Sequence, residues 1–299
     1  MWSSPNSIGV VFRVMRFDSA DFPDALTLSA RIDGGGLHGD LATPSRRAKL
    51  DAVRSLYYRR PRGLAFPGLD AQDAHFAVLQ ARYGLGGVLA SLPDCLYVNH
   101  PHAIADCEFK PAQLAVAAGL GFVVPPTLIT NDVREARTFA AEHGPVVYKP
   151  LRFSPYRQDG QALTIWVAEV DPAELDESIA GTAHLFQSRI PAAGFLRVTA
   201  IGDRLLSTRI DCGELLDWRY DYDALTYTAV EPPPGLADLI TAFLKRFGLV
   251  FGCFDFALRP DGEAVFLECN ANGQWAWLEE PTGLPMTAAL ADLLERGAA

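Results

Sequence analysis

The 299-residue sequence lacks several features that would assign it to a specialised class of protein. No stretch offers the roughly 18 consecutive apolar residues that a membrane span requires. The first residues, MWSSPNSIGVVFRVMR, do not follow the basic, apolar and small-residue order of a secretory signal. The five cysteines show no CxxC spacing, so we expect free thiols in a reducing cytoplasm rather than a cysteine-ligated metal. The glycine patterns of dinucleotide-binding loops and P-loops are also missing.

The composition is that of a globular protein with an acidic balance. Hydrophobic residues make up 49% of the chain and charged residues 21%. The net charge of -10 argues against nucleic acid as the main partner. The chain is long enough for two or three packed layers or domains.

Apolar patterns divide the chain into an N-terminal part and a longer part that begins near residue 101. The first hundred residues combine short apolar strands, including an apolar run at 8–13, with a helical stretch around 70–90. In the longer part, helices that end at Gly121 and Gly144 flank strand-like segments, one of which, VVPPTLITND, runs into a helix cap at its last residue, Asp132. The pattern later becomes mostly β. This alternation predicts an α/β or α+β fold.

A turn signal near the C-terminus, Asp-Gly at 261–262, allows the register of a hairpin to be worked out. If the residues flanking this dipeptide pair with each other, Asp255 lies directly opposite Glu268. Because side chains alternate along a strand, Asn270 shares the face of Glu268. The same register places further residues on that face, namely Cys253, Ala257, Ala264 and Phe266. It assigns to a core face Phe254, Phe256, Leu258, Val265 and Leu267.

Two opposed carboxylates repel each other, which costs about 0.2–1 kcal/mol or more when they are partly buried. An ordinary amphipathic hairpin whose polar face meets water explains the alternation but leaves the opposed acids unexplained. A hard cation explains them, because Asp, Glu and Asn oxygens are ligands of Mg²⁺. We therefore predict a metal site at Asp255, Glu268 and Asn270. Zinc fits less well because no histidine or cysteine pair accompanies the acids.

Distinctive motifs follow one another along almost the whole chain. The segment FKPAQLAVAAGLGFVVPPTLITND is followed by VVYKPL, by LFQSRIP and by FLRVTAIGDRLLSTRID. The C-terminal segment contains N-x-N-G-Q-W followed by acids and T-G-x-P, while YYRRP and DWR occur earlier. In this order the motifs resemble those of ATP-grasp ligases, and most closely the graspetide (microviridin-type) peptide macrocyclases.

The resemblance implies a three-part ATP-grasp fold and a reaction. The expected parts are an N-terminal α/β domain (1–100), a central domain (101–186) and a C-terminal antiparallel-sheet domain with the metal site (187–299). With ATP and Mg²⁺ as cofactors, an Asp or Glu side chain of a ribosomal precursor peptide becomes an acyl phosphate. A Ser or Thr hydroxyl or a Lys amine of the same peptide then closes an ester or amide ring.

The resemblance also implies a nucleotide site. Lys110 and Lys149 match the lysines on the phosphate and adenine sides. Lys149 also interrupts a buried-looking strand, where a lysine is costly. Gln187, Ser188 and Ile190 match the hinge that contacts adenine. The polar loop RFSPYRQDGQ carries one glycine, whereas many lids of this fold are glycine-rich, so its assignment as a lid departs from the family pattern.

Catalytic and peptide-contacting residues are assigned by the same resemblance. Arg209 matches the arginine that contacts the transferring phosphate, and Arg197 is a second candidate. We rank Arg209 first, because a turn at 202–203 places the two arginines on opposite faces. Instead of contacting phosphate, either arginine could form a surface ion pair with Asp203 or Asp211. Asp217 and Arg219 are expected to meet the precursor peptide, Arg219 by pairing with its acidic side chains.

Two other functions stay open. An ATP-grasp ligase that adds a single amino acid to a carboxylate would share the fold and the ATP residues. A non-catalytic partner that docks a leader peptide belongs to another class, and the intact metal ligands and lysines argue against it. We expect a precursor peptide with a leader segment as partner, no nucleic acid or membrane, and, from the resemblance alone, a homodimer.

Overall fold

The computed structural model describes residues 13–152, 156–159, 161–213, 216 and 218–297. The apolar run at 8–13 therefore lies almost wholly outside the described residues. The chain separates into two compact units, one of Met1–Pro101 with Ala291–Ala299 and one of His102–Leu290. The three-domain division stays a prediction. No helix in the described ranges is long and apolar enough to cross a bilayer.

The first unit contains a small antiparallel sheet, a parallel strand pair and one long helix. The sheet is formed by β1 (Thr27–Asp33), β2 (Gly36–Ala42) and β3 (Arg47–Lys49), and the pair by β4 (Ser55–Tyr57) and β5 (Leu96–Val98). The predicted helix is confirmed as α1 (Ala71–Leu89), and it begins at Asp70, whose carboxylate accepts two backbone N–H groups of the first turn. A leucine-rich cluster joins helix and sheet, consisting of Leu26, Leu41, Leu50, Leu85, Leu89 and Leu92.

The second unit contains most of the elements. Its helices are α2 (Pro101–Cys107), α3 (Lys110–Leu120), α4 (Val133–His143), α5 (Leu236–Phe247), α6 (Glu279–Thr282) and α7 (Met286–Arg296). Its strands are β6 (Thr127–Thr130), β7 (Val146–Lys149), β8 (Tyr156–Gln158), β9 (Gln161–Leu163), β10 (Ala168–Glu169), β11 (His184–Ser188), β12 (Gly194–Ile201), β13 (Arg204–Asp211), β14 (Thr226–Ala229), β15 (Phe251–Leu258) and β16 (Ala264–Asn270). From residue 291 onward, α7 belongs to the first unit.

A four-stranded sheet in the order β10-β7-β11-β6 carries the predicted nucleotide residues. The helix α4 covers it, and the buried Val133, Ala136, Phe139 and Ala140 follow the three- and four-residue spacing of a helix with one apolar face. Asp132 caps the start of α4, as the sequence predicts. This sheet places Lys149 and Gln187 on neighbouring strands.

A five-stranded antiparallel sheet in the order β14-β13-β12-β15-β16 carries the predicted metal ligands. On one face, α5 contributes Phe243 to an aromatic core in which the ring of Phe243 lies 5.3 Å from Phe254 and 5.6 Å from Phe266. Burying each of these rings contributes about 1.5–3 kcal/mol. The opposite face of the sheet carries the polar residues of the candidate site.

The hairpin of β15 and β16 has the predicted pairing at Asp255 but a different register near its turn. Next to the turn, Leu258 pairs with Ala264, one position away from the predicted register, so the two-residue turn is wrong. A bulge between Asp255 and Phe256 shifts the register back, and Asp255 still faces Glu268.

The bulge also corrects the assignment of faces near the turn. Phe266 faces Phe256 and joins the aromatic core, whereas Val265 faces Ala257 on the side of the acids. Val265 and Leu267 pack in an apolar cluster on that side with Trp218. The predicted faces of residues 264–266 are therefore exchanged, because a single extra residue inverts the alternation.

The predicted polar loop after β7 contains a short hairpin. The strands β8 and β9 pair in antiparallel fashion, with Tyr156 opposite Leu163. Residues 153–155 and 160 of this segment lie outside the described residues.

Candidate functional site

The hairpin of β15 and β16 brings together the three predicted metal ligands. Asp255 and Glu268 face each other across the two strands, and Asn270 lies two residues further along the face of Glu268. Nδ2 of Asn270 lies 3.2 Å from Oδ2 of Asp255 and 3.3 Å from Oε1 of Glu268. The three side chains therefore converge on one point at the sheet surface.

Asp255 is held by Arg197, its direct partner on the neighbouring strand β12. Nη1 of Arg197 donates to both carboxylate oxygens, at 2.7 and 2.9 Å, and Nη2 donates to the carbonyl of Gln274 at 2.9 Å. Arg197 and Asp255 are each 5% exposed. A buried charge is tolerated when it is paired and hydrogen-bonded, and this pair meets both conditions.

Two indole rings accompany the Arg197 guanidinium. Its central carbon lies 5.8 Å from the ring centre of Trp218 and 5.9 Å from that of Trp277. The two rings stack on each other with their centres 5.5 Å apart. Their negative faces favour a cation in a site with little water, so they help to keep Arg197 charged and fixed.

The loop that follows β16 is fitted closely against β15. A Cβ atom at Gly273 would lie 2.8 Å from both Cβ and Sγ of Cys253, which is too close for any side chain. Glycine is therefore required between Asn270 and Gln274, where the chain must turn back so that the Gln274 carbonyl reaches Arg197.

Glu268 is surrounded by cations that are more accessible to water. Lys110, the first residue of α3, places Nζ 2.7 Å from Oε2 of Glu268. Arg219 places Nη1 3.2 Å from Oε1. The side chains of Lys110 and Arg219 are 24% and 40% exposed, whereas that of Glu268 is 15% exposed. Both cations can therefore turn away from Glu268 towards a ligand without becoming buried alone.

These surroundings shift the pKa values of the two carboxyl groups in opposite directions. Burial raises the pKa of Asp255, and the attraction of Arg197 offsets this only in part. Burial also opposes ionisation of Glu268, but the attraction of Lys110, followed by that of Arg219, outweighs it. The pKa of Glu268 is thus held well below its ordinary value, and Glu268 is ionised at neutral pH.

The second predicted lysine is anchored to the predicted hinge. Nζ of Lys149 donates to Oε1 of Gln187 at 2.7 Å, and Nε2 of Gln187 donates to Oγ1 of Thr127 at 2.9 Å. Gln187 is 2% exposed, so this chain of hydrogen bonds is fixed by the sheet. Lys149 also contributes to the low pKa of Glu268, which places its charge within electrostatic range of the acids.

The hinge segment offers backbone groups to a ligand. The N–H of Ser188 donates to Pro126 and that of Arg189 to Pro145, and the hydroxyl of Ser188 donates to the carbonyl of His143. Within the described residues the N–H of Ile190, in contrast, has no hydrogen-bond partner. Ile190 is therefore the residue of this segment that best fits an adenine contact through its backbone.

The structure does not bring Arg209 into the acid cluster. Arg209 pairs with Leu196 across β12 and β13, so it lies on the opposite face of the sheet from Arg197. It forms an ion pair with Asp211, with Nη2 at 2.7 Å from Oδ1. The surface ion pair was the alternative for this residue, and Arg197 rather than Arg209 lies beside the acids. Asp217 lies outside the described residues.

The residues that converge here fit a magnesium ion. Magnesium in nucleotide sites takes one or two carboxylates and completes its shell with phosphate oxygens and water. Asp255 and Glu268 supply the carboxylates, and Asn270 supplies an amide whose oxygen and nitrogen exchange places by a half turn. In the described part of the chain, no group of three His, Cys, Asp or Glu residues forms a metal site, so a donor set richer in nitrogen or sulfur is not found there.

The charges of the site favour an anionic ligand. Four cations, Arg197, Lys110, Arg219 and Lys149, act on two carboxylates, which leaves two positive charges in excess. A nucleotide triphosphate with one Mg²⁺ carries roughly two negative charges, which matches this excess.

Two residues of the site could not be assigned from the sequence. Thr127 completes the hydrogen-bond chain of Gln187, and Gln113 binds the backbone of Cys269 beside the acids. Each contact joins residues far apart in the chain. The one local signal was for Gln113, a polar residue on the buried side of an otherwise apolar helix.

The chain is similar to solved structures of ATP-grasp ligases. It is 26% identical to the Chryseobacterium gregarium RiPP-associated ATP-grasp ligase in complex with ADP and a leader and core peptide, with a TM-score of 0.86 over 94% of this chain and 88% of that chain. It is 25% identical to the macrocyclase MdnC of Microcystis aeruginosa MRC, bound with precursor peptide MdnA, with a TM-score of 0.85 over 95% of this chain and 90% of that chain. It is 28% identical to the macrocyclase MdnB of the same organism, with a TM-score of 0.79 over 95% of this chain and 90% of that chain.

Similarity to curated proteins is restricted to a short segment. Over 70 residues the chain is 40% identical to a glutathione synthetase of Anaplasma centrale, a match that covers 23% of this chain and 21% of that protein. The chain thus matches about a fifth of the length of this relative. No protein-family model matches the chain.

The fold and its structural relatives define the class of the protein, which is an ATP-grasp protein of mixed helices and antiparallel sheets. Within this class, the predicted resemblance to the graspetide ATP-grasp ligases is confirmed.

Proposed function

We propose that this protein is an ATP-dependent, ADP-forming ligase that closes ester or amide rings within a ribosomally made precursor peptide. The observation that carries the proposal is the pair of opposed carboxylates, Asp255 and Glu268, which converge with Asn270. Cations lie on both sides of this pair, beside Asp255 and beside Glu268. The similarity over nearly the whole chain to ligases solved with leader, core or precursor peptides supports the substrate class.

The reaction has two steps. The γ-phosphoryl group of ATP moves to a carboxylate oxygen of an Asp or Glu side chain of the peptide, which yields an acyl phosphate and ADP. A Ser or Thr hydroxyl or a Lys amine of the same peptide then attacks the carbonyl carbon. The ester or amide bond forms as phosphate leaves, and the peptide has lost one water in total.

Phosphoryl transfer depends on positioned charges more than on covalent chemistry of the protein. Asp255, Glu268 and Asn270 would hold Mg²⁺, which neutralises the charge that develops on the phosphates. Lys110 would bind phosphate oxygens from its position beside Glu268, and Lys149, which is held by Gln187, would lie on the adenine side.

Adenine binding is assigned to the segment from Gln187 to Ile190. The backbone N–H of Ile190 would donate to a ring nitrogen of adenine. Gln187 holds Lys149 beside this segment. Ser188 is assigned to the same segment, in which its hydroxyl and its N–H are engaged with the carbonyls of His143 and Pro126.

The roles that we assign to Arg197 and Arg219 follow from how deeply each side chain is buried. Arg197 holds Asp255 in place and does not bind phosphate, since it is buried and both Nη atoms are engaged. Arg219 is more exposed, and we assign it to the acidic side chain of the peptide, where it orients the carboxylate for attack. Asp217 is assigned to the same peptide contact by its place in the DWR motif. Arg209 is given no role in the reaction.

The partner is a precursor peptide with a leader segment, and a homodimer is expected from the resemblance. Nucleic acid and membrane are not expected as partners. All five cysteines are free thiols, which fits the predicted cytoplasmic location.

The test is an intact mass measurement. The protein is incubated with ATP, Mg²⁺ and a short Thr-, Asp- and Glu-rich peptide as the candidate precursor. The proposal expects the loss of one water per ring in the wild type and an unchanged mass with Glu268→Gln.

The short similarity to a glutathione synthetase favours a second function, ligation of one amino acid. ATP turnover that requires an added amino acid, with a gain in peptide mass, would establish that function instead.

A further inference from the structure

Gln113 is a buried polar residue of α3 to which the proposed reaction gives no role. It is 4% exposed, and its side-chain amide binds three backbone groups. Oε1 accepts the N–H of Cys269 at 2.7 Å, and Nε2 donates to the carbonyl of Cys269 at 2.9 Å and to that of Cys107. The two contacts with Cys269 join residues 156 positions apart.

These contacts lie at the edge of the five-stranded sheet. β16 is the last strand in the sheet order, so one side of its backbone has no neighbouring strand in that sheet. In an antiparallel sheet, the N–H and C=O of one residue point to the same side, and for Cys269 that side faces α3. The amide of Gln113 therefore takes the place of a peptide group on a further strand.

The position of Cys269 gives these contacts their significance. Its N–H belongs to the peptide unit that follows Glu268, and its carbonyl belongs to the peptide unit that precedes Asn270. Gln113 thus fixes the planes of both peptide units, and with them the directions in which the Glu268 and Asn270 side chains leave the strand.

The same turn of α3 also contacts the carboxylate itself. Lys110 precedes Gln113 by three residues, a spacing that places both on one side of a helix. Lys110 binds the carboxylate of Glu268, and Gln113 binds the backbone next to it. One helical turn therefore holds Glu268 at both its charged end and its backbone.

We propose that Gln113 is a positioning residue of the metal site, which sets the geometry of Glu268 and Asn270 through the two peptide units of Cys269. The proposal rests on the proposed function and extends it, because a residue that touches no ligand controls affinity for the metal. Residues that orient metal ligands in this way commonly change affinity by about 10- to 100-fold when replaced.

The test measures Mn²⁺ binding in the presence of AMPPNP by electron paramagnetic resonance, since Mn²⁺ accepts the same oxygen ligands as Mg²⁺. Gln113→Met keeps the length of the side chain and removes all three hydrogen bonds, and we expect Mn²⁺ affinity to fall by about 10-fold or more. Gln113→Glu keeps an acceptor for the Cys269 N–H but sets an oxygen against the carbonyls of Cys107 and Cys269, so a loss of affinity is expected here too. Gln113→Glu also carries the test if Gln113→Met does not fold.

The matched control is Ile179→Ala, which removes buried volume from the cluster around α4 in the same unit, a cluster formed by elements other than α3 and β16. We expect it to lower the melting temperature but to bind Mn²⁺ like the wild type. Folded Gln113 variants with wild-type affinity would overturn the inference, and so would an equal loss of affinity in Ile179→Ala. If the wild type itself bound no Mn²⁺ with AMPPNP, the proposed function would fail first.

Kinetics separate positioning from general damage. In turnover assays we expect Gln113→Met to raise the Mg²⁺ concentration needed for half-maximal rate, and saturating Mg²⁺ to restore most of kcat. A fall in kcat with an unchanged Mg²⁺ requirement would contradict the positioning role.

Discussion

Asp255 and Glu268 are carboxylates that face each other on one sheet, yet the protein surrounds them in different ways. On the Asp255 side, a buried arginine donates twice to the acid and is accompanied by stacked indole rings. On the Glu268 side, a lysine and an arginine that retain contact with water approach from two directions. The pKa of the first acid is raised and that of the second is lowered.

This difference indicates two kinds of task. The Asp255 side is part of the folded core, and its charges are balanced before any ligand arrives. The Glu268 side holds an excess of positive charge on side chains that can move, which suits the arrival of phosphate and metal together. Experiments that treat the two sides alike should therefore give different results for stability and similar results for activity.

The largest expected effect is on activity and is common to both acids. Asp255→Asn and Glu268→Gln each remove one negative ligand of the metal, and we expect kcat to fall by about 10³-fold or more. The measurement is the rate of ADP release with peptide present. A variant of either acid with more than a tenth of wild-type kcat would break the assignment of that acid as a metal ligand.

The next effect separates the two sides through stability. Arg197→Met leaves Asp255 buried without its partner, and we expect a loss of about 3–5 kcal/mol in the free energy of unfolding. Glu268→Gln leaves two partly exposed cations that water can solvate, and we expect a change within about 1 kcal/mol. Urea denaturation of both variants tests this. Equal losses would show that the two sides do not differ in burial as described.

A smaller effect concerns pH. Lys110→Met should lower the free energy of unfolding by about 1–2 kcal/mol at neutral pH, because it removes a charge-assisted hydrogen bond of a partly buried acid. The pKa of Glu268 is depressed in the folded protein, so the contribution of this pair is present above the ordinary pKa of glutamate, about 4.3. It is lost as pH falls from that value through the folded pKa.

Urea denaturation of the wild type and Lys110→Met between neutral and acidic pH tests this window. The two stability curves should converge on the acidic side. Curves that stay parallel to the lowest pH at which both proteins fold would show that Lys110 does not stabilise the ionised form of Glu268.

The smallest expected effect on stability is that of Arg219→Met. Because the Arg219 side chain is 40% exposed, its ion pair should contribute no more than about 0.5 kcal/mol. Binding of the precursor peptide should respond more strongly, with a rise in KM for the peptide and little change in KM for ATP. A rise in KM for ATP alone would move Arg219 from the peptide to the nucleotide.

Local sequence patterns were sufficient for several helix ends and for the acid pair. The helix ends at Gly121 and Gly144 and the cap at Asp132 were predicted from single residues, because caps depend on local backbone geometry. The pairing of Asp255 with Glu268 was also correct. It was correct because a bulge compensates for a turn that is longer than the Asp-Gly signal indicated, and a bulge leaves no clear mark in the sequence.

What could not be predicted depends on contacts between distant segments. The sequence places Arg197 and Arg209 on opposite faces, but only the pairing of β12 with β15 shows that Arg197 is the one beside Asp255. The role of Gln113 depends on α3 packing at the edge of β16. The packing of the core fixes such positions. The order of residues within one segment does not show which residues of a distant segment they will contact.

The most direct test of this account is the effect of Mg²⁺ on nucleotide binding, measured as the thermal stabilisation of the wild type and Glu268→Gln by AMPPNP. We predict that Mg²⁺ adds stabilisation in the wild type, equivalent to about 2.7 kcal/mol at a ligand concentration of 100 times Kd. Glu268→Gln should fold as stably as the wild type without ligand but gain nothing from Mg²⁺. If Glu268→Gln retained the full gain from Mg²⁺, Glu268 would not be the metal ligand that this account requires.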